Sequence, residues 1–215
     1  MIHPEGKPYI LTPLLLSGVA FVFKKKKLSL GLLGLSLANA FFFRNPRREP
    51  LLEPDLIISP ADGKIVCCKM ENRPDWYDGP LFRIGIFMRL WDVHVNRSPV
   101  TGKLIKRVYF SGEKRPVFHE KALDKNEKMI YLIEREDGIP FWVIQIAGLV
   151  ARRIKSFVLP GDDLVSGDPI GIIKFSSRVE LFFPAEGAEL LVKVGQKVFA
   201  GETVLAKLPL KQITP

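Results

Sequence analysis

Pro160-Gly161-Asp162-Asp163-Leu164-Val165-Ser166-Gly167-Asp168-Pro169-Ile170 and Val194-Gly195-Gln196-Lys197-Val198-Phe199-Ala200-Gly201-Glu202-Thr203-Val204 are one pattern written twice, at an offset of 34 residues. Each copy has a glycine, an apolar residue three positions later, a second glycine six positions later and then an acidic residue. The pattern predicts two tight turns flanking a short strand, with glycine taking positive φ at each turn. Between the copies lies Gly171-Ile172-Ile173-Lys174-Phe175-Ser176-Ser177-Arg178-Val179-Glu180-Leu181, a buried-strand run that meets two serines and resumes as Val-x-Leu alternation. Polar residues inside an apolar run are hydrogen-bonded, turned to solvent, or used.

The doubled turn resembles the barrel-sandwich hybrid motif of biotinyl and lipoyl carrier domains, implying a mainly β, barrel-sandwich hybrid-like domain. A carrier needs a lysine at a hairpin tip, usually beside methionine. No Met-Lys or Asp-Lys-Ala tip lies between the copies, and Asp124-Lys125 is outside them. The serine pair has two readings. One is a β-bulge or strand end whose hydroxyls satisfy their own backbone. The other is self-processing, in which the second hydroxyl attacks the preceding carbonyl, the ester eliminates, and Ser177 becomes an N-terminal pyruvoyl group.

Outward from this core, residues 57–215 read as short β-type runs separated by turns. These are Ile57-Ile58, Lys64-Ile65-Val66 after the Ser59-Pro60-Ala61-Asp62-Gly63 turn, Leu81–Leu90, Leu104–Phe110, Met129–Glu134 and Pro140–Ile146. Pro116–Lys128 has room for a helical turn.

Residues 1–43 differ. Ile10–Phe23 is mostly apolar, Lys24–Lys27 is a four-lysine block, and Leu28–Phe43 is apolar again. Neither run reaches the ~18–20 residues of a bilayer-crossing helix. A signal peptide finds local support in the lysine block, Leu28–Leu37 and Ala38-Asn39-Ala40, but the earlier apolar run ranks it low. A crossing by Leu28–Phe43 sets the lysines and the Arg44/Arg47/Arg48 cluster on opposite sides, against the positive-inside tendency. A helical hairpin in one leaflet keeps both at anionic headgroups, each basic residue gaining ~1 kcal/mol. The expectation is a membrane-associated hairpin over 1–43 and a linker over 44–56. It places the protein at the cytoplasmic face of the cell membrane, peripheral or monotopic.

Lys and Arg number 32 against 23 Asp and Glu, a net charge of +9, which suits an anionic partner. Without zinc-finger or helix-turn-helix patterns, and with lysines clustered between apolar runs, that partner is expected to be membrane, not nucleic acid. Cys67 and Cys68 are strand neighbours pointing to opposite faces, which favours free thiols and a reducing compartment. With three histidines in the chain, no transition-metal site is expected. Three residues could do chemistry: Asp62 in its turn, His94 in an apolar strand-like run, and Ser177. They divide labour as orienting acid, base and nucleophile. His3 is terminal, and His119 sits in a charged loop.

Phe41-Phe42-Phe43-Arg44-Asn45-Pro46, Ser59-Pro60-Ala61-Asp62-Gly63-Lys64, Asp92-Val93-His94-Val95-Asn96-Arg97-Ser98-Pro99, Gln145-Ile146-Ala147-Gly148 with Ala151-Arg152-Arg153-Ile154, and Gly171–Val179 form an ordered series. They resemble successive blocks of the short phosphatidylserine decarboxylases, from about residue 40 to the C-terminus. The resemblance implies self-cleavage between Ser176 and Ser177 into an associated long chain (1–176) and short chain (177–215). The pyruvoyl at 177 is then expected to form a Schiff base with phosphatidylserine and to take up electrons as CO2 leaves. PLP fills that role elsewhere, and neither PLP nor metal is expected here. Arg97, Arg152 and Arg153 become candidates for phosphate or carboxylate, and a homodimer is compatible.

Two positions depart from the pattern. Ser176 stands where the family usually has glycine, which predicts slower cleavage. Larger relatives carry a second histidine, which activates the serine, at the position of Arg97. Either His94 serves both steps, or processing proceeds with Asp62 and backbone strain alone; His94 is expected first as the proton donor of decarboxylation. The rival functions are decarboxylation of another phosphoserine lipid, such as an archaeal ether lipid, and a non-catalytic membrane adaptor on the same scaffold.

Overall fold

The structure is a computed structural model that describes residues 1–112, 125–148, 153–174 and 177–211. The chain divides into two compact units, Met1–Arg47 and Arg48–Pro215. The suggested helical turn at 116–128 and His119 fall largely or wholly outside the described residues, as do Ser176 and Arg152.

In the first unit, the short turn Pro4–Gly6 leads into α1 (Lys7–Val22), followed by α2 (Lys26–Phe42). Lys24, at φ 58°, reverses the chain between them. The helices lie antiparallel, and polar side chains bond across their seam. Ser17 Oγ donates to the Ser29 carbonyl (2.7 Å), Ser36 Oγ to that of Ile10 (2.8 Å), and Asn39 Nδ2 to that of Tyr9 (2.9 Å). Pro13, Ser17, Ala20, Ser36 and Phe42 are buried, whereas Leu15 and Leu30 are 70% and 71% exposed. Small and hydroxylated residues thus face inward and leucines outward, the reverse of a water-soluble helix pair. No helix among the described residues is long and apolar enough to cross a membrane.

Among the described residues the second unit has fourteen strands. An eight-stranded antiparallel sheet runs in the order β13 (Lys197–Val198), β2 (Gly63–Asn72), β3 (Pro80–Met88), β11 (Ser177–Pro184), β7 (Pro140–Ala147), β6 (Lys128–Glu134), β5 (Gly102–Phe110), β9 (Asp163–Leu164). Two three-stranded sheets complete the unit. One has the order β1 (Leu56–Ile58), β14 (Val204–Lys207), β12 (Glu189–Leu190), the other β4 (Val95–Arg97), β10 (Pro169–Lys174), β8 (Arg153–Ser156).

Period-2 alternation sets the two faces of the large sheet. Ile84, Ile86 and Met88 of β3, Val179, Leu181 and Phe183 of β11, and Phe141 and Val143 of β7 turn into the main core. Leu81, Trp142, Ile144, Ile146 and Phe182 turn to the other face, where Trp76 and Tyr77 pack on them. That outer face also buries a charge cluster. Arg83 reaches Glu180 (2.9 Å) and Glu71 (2.7 Å), and Arg178 pairs with Glu180. Gly85 leaves the space, because a Cβ there stands 2.7 Å from Arg178 Nη2.

Two sequence expectations have clear outcomes here. All four repeat glycines, Gly161, Gly167, Gly195 and Gly201, take positive φ (98°, 90°, 93° and 77°). The run Gly171–Leu181 is not one bulged strand. It is β10 followed by β11, in different sheets, and the Ser176–Ser177 bond falls at the passage between them. The hydrophobic pattern is continuous because both strands are buried on both faces.

Candidate active site

Ser177 opens β11, fully buried, and shares the inner-face parity of Val179 and Leu181. It pairs with Met88 on β3 and Ala147 on β7. Its hydroxyl lies 3.2 Å from the Met88 thioether, which Asn96 Nδ2 approaches from 3.6 Å. Gln145 Nε2 donates to Asn96 Oδ1 (2.7 Å), and Tyr131 Oη donates to Gln145 Oε1 (2.8 Å). This buried polar chain has an energetic reason: amides sealed from water need partners. Burial raises the Tyr131 phenol to about 12, so it stays a donor at any working pH. Gly171 makes room for the chain, since a Cβ there stands 2.8 Å from Tyr131 Oη and 3.0 Å from Gln145 Nε2.

His94 lies just ahead of β4 rather than within a strand, fully buried. Its Nδ1 is 2.9 Å from the Asp92 backbone carbonyl. A carbonyl only accepts, so Nδ1 carries a proton, and in the corresponding neutral tautomer the lone pair is on Nε2. Asp92 also closes the preceding turn, its Oδ2 accepting the Arg89 amide (2.8 Å). The His94 carbonyl accepts from the Ile173 amide (3.3 Å), near the end of β10.

Asp62 sits in the turn before β2 and staples three segments. Its carboxylate accepts from Arg48 Nη2 (3.0 and 2.9 Å), from the Ala200 amide (2.8 Å) and from the amide of Val93, which precedes His94. Burial pushes the carboxyl above its ordinary range, against the pull of the Ala200 amide and the Arg48 guanidinium. Asp62 therefore reaches His94 through the Val93 backbone, while the ring nitrogen Nδ1 is held by Asp92. Asp62 and Ser177 flank the end of β3, and His94 is tied to Asp62 through the Val93 amide. Lys64, two residues past Asp62, pairs with Phe87, and Ser177 pairs with Met88.

The predicted arginines fare differently. Arg97 is buried, not a solvated surface group, and its Nη1 donates to the Gly167 carbonyl (2.8 Å). Desolvation, with Arg48 next, holds its guanidinium below the usual range. Arg153 opens β8. Arg48, Met88, Asn96 and Tyr131 were not singled out from sequence. Gln145 carried a usable signal, a polar residue on the buried parity of Phe141, Val143 and Ala147. Among the described residues no group of three or more His, Cys, Asp or Glu side chains is arranged to hold a metal ion.

A family model described as phosphatidylserine decarboxylase matches residues 36–206 of the chain. The chain belongs to the phosphatidylserine decarboxylase family. Three relatives, each named phosphatidylserine decarboxylase proenzyme, show how far the likeness extends. The one from Novosphingobium aromaticivorans is 39% identical over 96% of this chain and 86% of its own length. The one from Amoebophilus asiaticus is 39% identical over 96% of both. The one from Geobacter metallireducens is 37% identical over 97% of both. The family match spans Asp62, His94 and Ser177, so all three lie inside the shared region.

Proposed function

We propose that the protein is a self-processing phosphatidylserine decarboxylase whose short chain begins at a pyruvoyl group made from Ser177. Family membership over nearly the whole chain, with Ser177 buried where β10 passes into β11, is the observation that carries this reading.

Ser177 Oγ attacks the carbonyl carbon of residue 176, and the acyl group moves from nitrogen to oxygen, giving an ester with a free amine on residue 177. Loss of the Ser177 Cα proton breaks the Cβ–O bond and releases the carboxylate that ends the long chain. The enamine left behind tautomerises to an imine, and water converts it to a pyruvoyl ketone with release of ammonia. The Met88 thioether and the Asn96–Gln145–Tyr131 chain hold the strand end in place. The site suits such a group, being buried with the amide side chains of Asn96 and Gln145 nearby.

Once formed, the pyruvoyl carbonyl supplies an electron sink for the pair left when CO2 departs. His94, its Nδ1–H fixed on the Asp92 carbonyl, takes up at the Nε2 lone pair the proton that the substrate ammonium sheds as it reacts, and returns it to the substrate carbon after CO2 leaves. Asp62 fixes the loop that carries His94, and Arg97 belongs to the cationic surround of Asp62. No role in substrate binding is assigned to Arg152 or Arg153.

Two finer readings go with this. The doubled glycine turns support a barrel-sandwich hybrid-like frame, and the inside-out helix pair supports a peripheral or monotopic membrane seat. Phosphatidylserine in a bilayer is then the substrate and phosphatidylethanolamine the product.

Intact mass of the purified protein tests the reading. Two fragments are expected, one ending at Ser176 and one starting with a reducible, amine-free residue 177, together with CO2 release from phosphatidylserine. Ser177→Ala should remain one inactive chain, and a cleaved Ser177→Ala protein overturns the assignment.

A further inference from the structure

Beside the catalytic loop lies a cavity of about 270 Å3, lined by Gly63, Lys64, Arg89, Trp91, Asp92, Gly195 and Lys197. Gly63 adjoins Asp62, and Asp92 is two residues from His94, so the cavity is built from the same two segments as the candidate site. Three of its side chains are cationic. The single carboxylate, Asp92, is buried and already accepts the Arg89 amide.

The cations are arranged at a cost. Lys64 and Lys197 stand directly opposite each other in the β2–β13 pairing, and like charges placed so are destabilising. An edge lysine alone discourages sheet-to-sheet association, but Lys64 is on β2, inside the sheet order, and it stands exposed beside the exposed edge lysine. The lysine stem runs along Gly195, whose missing side chain leaves the path open (3.9 Å from a Cβ to Lys64 Cε). Arg89 lies over Trp91 (5.7 Å) and Lys197 over Phe199 (4.9 Å), so aromatic faces hold two of the three cations. An anion between them relieves the repulsion.

We propose that this cavity seats the phosphodiester of the lipid substrate. The proposal rests on the decarboxylase reading and adds the place where the headgroup is anchored. The volume, just under the ~300 Å3 of the smallest ordinary ligand cavities, suits a headgroup and not acyl tails. A phosphodiester gripped by Lys64, Lys197 and Arg89 leaves the serine amine and carboxylate to extend around the end of β3, where Phe87 faces Lys64 and Met88 faces Ser177. Binding energy is thereby drawn from a part of the substrate that does not react.

The test is kinetic, on the mature two-chain protein with short-chain phosphatidylserine below its micelle concentration. Lys64→Gln/Lys197→Gln should still mature into two fragments by mass, and its melting temperature should hold or rise as the repulsion goes. Its KM should rise at least about tenfold, the scale of one lost charge-assisted hydrogen bond, with kcat within about twofold. Lys64→Arg/Lys197→Arg should restore KM. In the unmodified protein, sn-glycerol 3-phosphate, which has the phosphate but no amine, should inhibit competitively. An unchanged KM overturns the proposal, as does absence of that inhibition, which needs no variant. A KM rise confined to vesicles containing phosphatidylglycerol also overturns it, because the cations then serve the surrounding bilayer. Failure of the unmodified protein to release CO2 instead defeats the decarboxylase reading itself.

Discussion

Asp62 shows how one side chain can matter more to chemistry than to stability. Its carboxylate is ion-paired with Arg48, yet burial outweighs that attraction and raises its pKa. Folding therefore shifts this group towards its neutral form relative to the unfolded chain. Stability from this group is fully present below its ordinary value of 3.8 and is lost as pH rises through the raised folded value. Asp62→Asn mimics the neutral form, and Arg48 keeps Glu202 at 2.8 Å. We expect this variant to lie within about 1 kcal/mol of the parent at pH 7, in line with the small net worth of buried pairs. It should also flatten the fall in melting temperature as pH rises above the ordinary value of 3.8, and self-cleavage followed by mass should be strongly slowed. A large loss of stability with normal cleavage contradicts the assignment. Ser177, His94 and Asp62 were legible in the sequence because each sits in a short local block. Arg48 was not, because it reads as linker charge until the turn carrying Ala200 and Glu202 folds over it. Met88 and Asn96 were equally silent, their meaning arising only across strands.

At the scale of elements, strand boundaries were close to the sequence reading: Leu81–Leu90 became Pro80–Met88, and Pro140–Ile146 became Pro140–Ala147. Sheet membership was not legible, since antiparallel pairing joins distant segments and no local pattern names the partner. The clearest miss was the passage from β10 to β11, which period and hydrophobicity render as one run. The repeat glycines were legible, because a tight turn at positive φ has few other occupants. Their backbone demand is alike but their surroundings differ. A Cβ at Gly161 meets nothing within 4 Å, whereas one at Gly201 comes within 3.1 Å of Arg97 Cδ and 3.5 Å of Arg48 Cβ. Both Gly161→Ala and Gly201→Ala should lose about 1–2 kcal/mol to backbone strain. Only Gly201→Ala also pushes on the arginines around Asp62, so its self-cleavage half-time should lengthen several-fold while that of Gly161→Ala stays near the parent. Thermal melts and timed gels on the two variants separate these effects, and equal half-times refute the link between this turn and the site.

For the whole molecule, the two units obey opposite solvation rules. The β unit buries isoleucine and phenylalanine and bonds buried amides and a phenol to one another, as in the Tyr131–Gln145–Asn96 chain. The helical unit buries serines in its seam and shows leucines outward, as helices do when hydrocarbon surrounds them and small, hydrogen-bonding residues hold the interface. The seam was illegible in the sequence: the two apolar runs announced helices, but which side faces inward depends on how they meet. At 16 and 17 residues, α1 and α2 are about 24–26 Å long, short of a ~30 Å hydrocarbon core. Lying in one leaflet, with Lys24–Lys27 at the headgroups, accommodates both lengths and charges. The consequence is measurable with Leu15→Gln/Leu30→Gln. If these leucines meet lipid, the double variant keeps the melting temperature of the parent in detergent-free buffer and self-cleaves normally. Its partition onto phosphatidylglycerol-containing vesicles, read by co-sedimentation, falls by more than about tenfold, since each buried leucine contributes ~1.5–3 kcal/mol. If they instead pack against protein, the same substitutions lower the melting temperature and leave partition unchanged, and the membrane seat must be sought elsewhere. Turnover refines the outcome. On bilayer substrate it should fall with partition, whereas on soluble short-chain substrate it should not, because the site built at the end of β3 draws none of the described reacting groups from α1 or α2.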